Sequence, residues 1–275
     1  MARLPRIPDL LTTANLACGV ASILLASQGQ LTWACWLVFA GALFDVFDGL
    51  AARALGGGTP LGAQLDSLAD MVTFGVAPGM LLFSLPFMNG TAALLEGGSF
   101  YMSDVYLTGE LIEAGLSPHP PHHPFIWAAA VLIPICSAWR LAKFNLDTRQ
   151  TSGFLGLPTP ANALFWASYS LAASASVLPD ATAGTGSTVI LFLAGMNDPS
   201  VILVSALLLG ILMLSELPLP SLKFKHFKWK GNEVIYLLLG IGAVLVVLYG
   251  VLAFPLILVV YLLSPLWGRL FPKAA

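Results

Sequence analysis

Apolar residues run along this chain in long blocks rather than in alternation. Blocks at residues 11–27, 31–55, 61–87, 125–144, 162–177 and 201–214 are separated by polar or Gly/Pro-containing stretches. Each block is expected to be a helix, since a bilayer core of about 30 Å takes roughly 20 apolar residues at about 1.5 Å per residue. The last block, residues 234–267, is 34 residues long. That is about 51 Å of helix, too much for one crossing, so it is expected to fold as two helices turning near residues 250–255. The pattern predicts eight helices.

The interruptions carry the orientation. Two long connections, residues 88–124 and 178–200, hold acids and three histidines but no Lys or Arg. If the N-terminus is cytoplasmic, all 12 basic residues fall on the inside, at the N-terminus, the joins after helices two, four and six, and the C-terminus. This is the positive-inside pattern without an exception. The run KFKHFKWK, residues 223–230, alternates bases with aromatics and reads as an interfacial anchor for anionic headgroups. His119, His122 and His123 lie in a PHPPHHP run where no acid or cysteine completes a ligand set, which favours an exposed turn over a metal site. No small-residue cleavage site follows the basic MARLPRIP, so the first apolar block is expected to be retained.

Composition agrees. The chain is 57% hydrophobic and 9% charged, with a mean hydropathy of +0.85. Soluble domains are about 45–50% apolar, so a soluble fold is excluded and a multi-spanning helical membrane protein is expected. The net charge of −2 gives no basis for a nucleic-acid partner. Cys18, Cys35 and Cys136 all lie in apolar segments at spacings that match no metal motif, and read as packing residues.

Against this background one polar pattern stands out. Asp45, Asp48, Gly49, Ala52, Arg53, Gly62, Asp66 and Asp70 read D-x2-D-G-x2-A-R-x8-G-x3-D-x3-D and place four of the chain's 14 acids within 26 residues. An ionisable group in membrane-spanning sequence costs roughly 2.5–3.5 kcal/mol on insertion scales, which makes it a functional hypothesis by default. Asp45 and Asp48 are three apart on helix two, and Asp66 and Asp70 are four apart on helix three, so each helix presents a pair of acids on one face. The Gly56-Gly57-Gly58-Thr59-Pro60 turn lets the two faces converge. Facing carboxylate pairs suit Mg²⁺ or Mn²⁺, with two ions sharing bridging acids, and Arg53 offers a fork for phosphate oxygens. One arginine cannot neutralise four acids, which argues against a merely helix-locking ion-pair network. The combination points to phosphoryl transfer on a lipid-attached nucleotide.

The pattern resembles the CDP-alcohol phosphatidyltransferase signature at every fixed position. The resemblance implies an all-α integral membrane protein with a six-helix catalytic core, usually dimeric, that moves a phosphatidyl group from a CDP-linked lipid to an alcohol and releases CMP. It implies that Asp45 and Asp66 bridge two metal ions, that Asp48 completes one site and Asp70 the other, and that Asp70 is also the base. Gly49, Ala52, Arg53 and Thr59 would contact the CDP moiety, together with Pro8 and Asp9 at the start of helix one, where many members carry Asn in place of Asp9. On this reading residues 1–216 form the core, and residues 217–275 a basic cytoplasmic linker and a C-terminal transmembrane hairpin.

The acceptor alcohol is addressed by segments outside the signature. Residues 15–19 (NLACG), 67–78, 140–145 (RLAKFN) and 154–160 (FLGLPTP) look like those of bacterial phosphatidylserine synthases of the membrane-embedded type. That likeness implies CDP-diacylglycerol and L-serine as substrates and a site facing the cytoplasm of a bacterial inner membrane. Arg140 and Lys143 are candidates for the serine carboxylate, with Ser67 and Asn145 adding hydrogen bonds; ordinary cytoplasmic anchoring accounts equally well for the two cations. Lys143 stands where arginine is common, which keeps the charge and loses the bidentate fork. Acceptors that carry their own phosphate call for more cations near the core than this chain has. A family member with a glycerol phosphate, inositol phosphate or choline acceptor remains the alternative, the first two disfavoured on that ground. A divalent-cation transporter is a distant one, although no inverted repeat is visible.

Overall fold

The computed structural model describes residues 6–85, 124–146, 154–175, 198–219, 233–250 and 253–267. Among these residues there are eight helices: α1 (Ile7–Ser27), α2 (Leu31–Ala54), α3 (Pro60–Phe83), α4 (Pro124–Leu146), α5 (Thr159–Ala175), α6 (Pro199–Leu214), α7 (Glu233–Tyr249) and α8 (Ala253–Trp267). Helices α1 to α4 are each long and apolar enough to cross a membrane; α6 to α8 are apolar and shorter. The architecture is the expected all-helical membrane one. Two-residue strands β1 (Phe154–Leu155) and β2 (Pro218–Leu219) pair antiparallel, which block hydropathy did not anticipate. The histidine run and the KFKHFKWK segment lie outside the described residues.

Helix boundaries follow local chemistry. Thr59 caps α3 by accepting from the Gly62 N–H at 2.9 Å, and Pro60 occupies the first turn, where a missing donor costs nothing. Gly56 and Gly57, at φ 88° and 111°, make the α2–α3 turn in a region that only glycine enters freely. Gly250, at φ 55°, ends α7 where the last apolar block was expected to turn.

Helix α3 is not uniform. It is α-helical over Pro60–Asp70, widens to a π-helix over Met71–Val76, and returns to α-helix over Ala77–Phe83. Spacing rules assume 3.6 residues per turn throughout, so this widening was invisible to them. It turns Thr73 toward α1 and α2, where a Cβ at Gly19 would overlap Thr73 Oγ1 and one at Gly41 would stand 2.6 Å from Thr73 Cγ2. Glycine at both positions lets the three helices close around Thr73.

A second close approach handles a proline. Pro134 inside α4 leaves the carbonyl of Ala130 without its helical donor. Gly79 of α3 packs there, and a Cβ on it would stand 2.5 Å from that oxygen. Helix α5 runs through the centre, with Trp166, Tyr169 and Leu157 just before it all buried. Trp166 donates its indole N–H to Asn162 Oδ1 at 3.2 Å. The outer faces carry Leu43, Trp139 and Val247, large apolar side chains suited to lipid. Helix α8 joins the same core through Leu258, and Phe254 meets the Phe39 ring of α2 at 4.9 Å.

Candidate active site

The two acid pairs converge. One carboxylate oxygen each of Asp45, Asp48 and Asp66 lies within 4.8 Å of the others. Asp70 stands outside that trio, one turn along α3 from Asp66, and is buried. Among the described residues no basic side chain lies within ion-pair distance of any of the four aspartates. Asp66 Oδ1 is buried with no hydrogen-bond partner.

These observations test whether the residues fit a cation. Neighbouring carboxylates cannot be left uncompensated in a low-dielectric interior. Hard oxygen donors at this spacing, with an orphaned carboxylate oxygen among them, suit a metal ion. The group can hold a metal ion, and Arg53 does not take its place.

Helix α1 supplies side-chain contacts to two of the acids. Thr12 Oγ1 lies 2.7 Å from Asp48 Oδ2 and 3.0 Å from the Pro8 carbonyl oxygen. A hydroxyl has one proton to donate, and the closer, charged acceptor takes it. Asn15 Nδ2 donates to Asp70 Oδ1 at 3.2 Å. Neither residue was singled out for a role from the sequence. The signal was present as a small and polar stripe at Thr12, Asn15, Gly19 and Ser22, spaced three, four and three residues apart in an apolar helix. In a membrane helix such a stripe faces the protein interior.

The other side chains singled out from the sequence fall into two groups. Asp9 lies against the start of α3, where a Cβ on Gly62 would stand 2.8 Å from Asp9 Oδ1 and 3.1 Å from Thr59 Oγ1. Pro8, Asp9, Thr59 and Gly62 are thereby brought together. Thr59 spends an acceptor on its cap and keeps its proton to donate elsewhere. Arg53 is exposed, and the space over Gly49 is open except for Arg53 Nη1, 3.7 Å from where a Cβ would stand. Ala52 is half-buried one residue before it.

At the end of α4, Asn145 Nδ2 donates to Ser67 Oγ at 2.9 Å, joining α4 to the face of α3 that carries Asp70. Arg140 is buried; its Nε donates to the Leu157 carbonyl at 3.3 Å, and its guanidinium lies 5.3 Å from the Phe144 ring centre. Lys143 Nζ donates to the Leu214 carbonyl at 3.3 Å and pairs with Glu216 at 3.5 Å. Both cations therefore tie α4 to the residue 154–160 segment and to the C-terminal end of α6, whose last carbonyls need partners. The Leu157 N–H donates to the Leu212 carbonyl at 2.9 Å in the same junction.

The sequence model of the CDP-alcohol phosphatidyltransferase family matches residues 6–260, from the start of α1 into α8. The chain belongs to the CDP-alcohol phosphatidyltransferase family. It is therefore a transferase, and the transporter alternative is set aside. Among curated relatives, the CDP-diacylglycerol–serine O-phosphatidyltransferase of Helicobacter pylori (strain ATCC 700392 / 26695) is 31% identical over 241 residues, 87% of this chain and 81% of the relative. The protein of the same name from Bacillus subtilis (strain 168) is 31% identical over 159 residues, 56% of this chain and 69% of the relative. An archaetidylserine synthase from Methanothermobacter thermautotrophicus is 32% identical over 167 residues, 60% of this chain and 58% of the relative.

Proposed function

We propose that this membrane protein is a phosphatidylserine synthase, which transfers the phosphatidyl group of CDP-diacylglycerol to the hydroxyl of L-serine and releases CMP. The observation that carries the chemistry is the convergence of Asp45, Asp48 and Asp66 with no cationic side chain among the described residues to offset them. Serine as acceptor is supported by relatives from bacteria and archaea that bear that activity in their names.

In this reading Asp45, Asp48, Asp66 and Asp70 would hold two divalent cations, Mg²⁺ or Mn²⁺, with Asp45 and Asp66 common to both sites, Asp48 completing one and Asp70 the other. When bound, the ions supply Lewis acidity that offsets charge on the diphosphate. The chain's own residues do the rest. Pro8, Asp9, Gly49, Ala52, Arg53 and Thr59 form the nucleotide end: the open face of Gly49 admits the diphosphate, and the Arg53 guanidinium donates to its oxygens. Ser67 and Asn145 orient the acceptor beside Asp70. Arg140 and Lys143 draw the serine carboxylate to the same end.

Asp70 takes the proton from the serine hydroxyl as the serine oxygen forms its bond to the β-phosphorus. The bond from that phosphorus to the bridging oxygen breaks, and CMP leaves with that oxygen. A carboxylate is a weak base toward a free alcohol, so proton loss and attack are concerted.

We read residues 1–216 as the catalytic unit and residues 217–275 as a linker and transmembrane hairpin packed on it. The distribution of basic residues supports a site facing the cytoplasm of a bacterial inner membrane, and the family resemblance supports a homodimer. An acceptor panel tests the proposal: purified protein, CDP-diacylglycerol and divalent metal, with CMP release followed for serine, glycerol 3-phosphate, inositol phosphate and choline. Release dependent on serine is expected. Release confined to another acceptor removes the serine assignment and leaves the family chemistry intact.

A further inference from the structure

Helix α1 touches the acid cluster twice, and the two contacts are arranged alike. Thr12 and Asn15 are three residues apart on one face of α1, and both are buried. Thr12 reaches Asp48, the second acid of the α2 pair, and Asn15 reaches Asp70, the second acid of the α3 pair. Among the described residues, Asp45 and Asp66 accept no hydrogen bond from any side chain. We infer that Thr12 and Asn15 are positioning residues that sort the four aspartates, bonding one oxygen of Asp48 and one of Asp70 while leaving both oxygens of Asp45 and Asp66 to the cations.

The structure around Asn15 is built for this contact. Thr73 Oγ1 donates to the Asn15 carbonyl at 3.0 Å, from within the π-helical turn that follows Asp70. Gly41 leaves space for the amide, since a Cβ there would stand 3.0 Å from Asn15 Oδ1. That Oδ1 is itself buried without a partner. An orphaned amide oxygen costs about 1–3 kcal/mol, and turning the amide over to relieve it would set oxygen against the Asp70 carboxylate. The side chain is held in the orientation that serves Asp70.

The consequence is a division of labour. Each carboxylate oxygen has two lone pairs, so the bond from α1 fixes the rotation of Asp48 and Asp70 rather than using up an oxygen. Each presents its other oxygen to a single cation, and Asp70 keeps a lone pair for the serine proton. Asp45 and Asp66, held by no side chain among the described residues, can each face two cations. The division rests on the proposed two-cation reading and supplies a cause for it in α1, outside the acid motif.

The test uses the full-length protein in nanodiscs, with Mn²⁺ binding followed by electron paramagnetic resonance and turnover by CMP release. Losing a hydrogen bond that orients a metal ligand typically weakens metal affinity or activity by about 10–100-fold. Thr12→Val and Asn15→Leu are each expected to weaken Mn²⁺ binding and lower kcat in that range, with the KM for CDP-diacylglycerol within about threefold. Thr12→Ser, which keeps the hydroxyl, is expected to restore both. If Asn15→Leu does not fold, the Thr12→Val and Thr12→Ser pair decides the matter alone. Wild-type Mn²⁺ affinity and kcat in Thr12→Val, while Asp48→Asn loses them, would overturn the inference. Failure of the phosphatidyl-transfer reading shows separately, as wild-type protein that binds Mn²⁺ and releases no CMP.

Discussion

Asp9 Oδ1 lies so close to Gly62 that a single methyl group there would stand 2.8 Å from it. The contact joins the first turn of α1 to the first turn of α3 and sets the distance between the proposed nucleotide-end residues and the acids. Gly62 is part of the acid motif for this steric reason, in addition to any direct contact with a ligand.

Gly62→Ala is therefore expected to push Asp9 and Thr59 apart. Overpacking of this kind costs about 1–3 kcal/mol. The displacement falls on the nucleotide end, so the KM for CDP-diacylglycerol should rise about tenfold or more, with a smaller change in kcat. Steady-state kinetics at saturating serine checks this.

Asp70→Asn keeps the shape of the side chain and removes the proposed base. Turnover is expected to fall by about 10³-fold or more, beyond the typical 10²–10⁴ range's lower end for a lost general base, because a cation ligand is weakened too. Binding of CMP, measured by calorimetry in the presence of Mn²⁺, should stay within a few-fold of wild type. Near-normal turnover would remove Asp70 from the base role.

Cation binding should show in stability as well as in rate. Four aspartates with no basic partner among the described residues oppose folding, and a ligand at 100 times its dissociation constant adds about 2.7 kcal/mol. Chelation is expected to abolish CMP release and lower the thermal midpoint in detergent, and Mg²⁺ or Mn²⁺ to restore both saturably. In Asp45→Asn or Asp66→Asn the stabilisation by metal should be largely lost.

The junction between the residue 154–160 segment and α6 makes a separate prediction. Gly156 has φ 75°, and a Cβ on it would stand 2.5 Å from the Ser215 carbonyl oxygen and 2.8 Å from that of Met213. Both neighbours are backbone and cannot rotate aside. Gly156→Ala is expected to destabilise by roughly 2 kcal/mol or more. Gly240→Ala in α7 meets nothing within 4 Å among the described residues and should be neutral or stabilising by up to about 1 kcal/mol. Thermal unfolding of the two variants side by side distinguishes them.

How far the sequence could be read depended on whether a feature is local. Block hydropathy located the helices because each is a continuous apolar run whose character does not depend on its neighbours. The acid pairs were legible because three- and four-residue spacings put side chains on one face within a single helix. Thr12 and Asn15 were missed because their partners lie 36 and 55 residues away, and an isolated Thr or Asn in an apolar helix has many readings. The π-helical turn at Met71–Val76 breaks the spacing rule on which such inferences depend. Arg140 and Lys143 were seen as cations at a helix end, but their bonds to the Leu157 and Leu214 carbonyls arise only once α6 and the residue 154–160 segment pack beside α4.

The central claim is that the oxygen of serine displaces CMP at phosphorus. The most direct measurement supplies L-serine carrying ¹⁸O in its hydroxyl, with CDP-diacylglycerol and Mn²⁺, and follows lipid and nucleotide products by mass spectrometry. One phosphatidylserine is expected for each CMP, with the ¹⁸O retained in the phosphodiester. CMP formed without labelled phosphatidylserine, with phosphatidic acid in its place, would contradict the account.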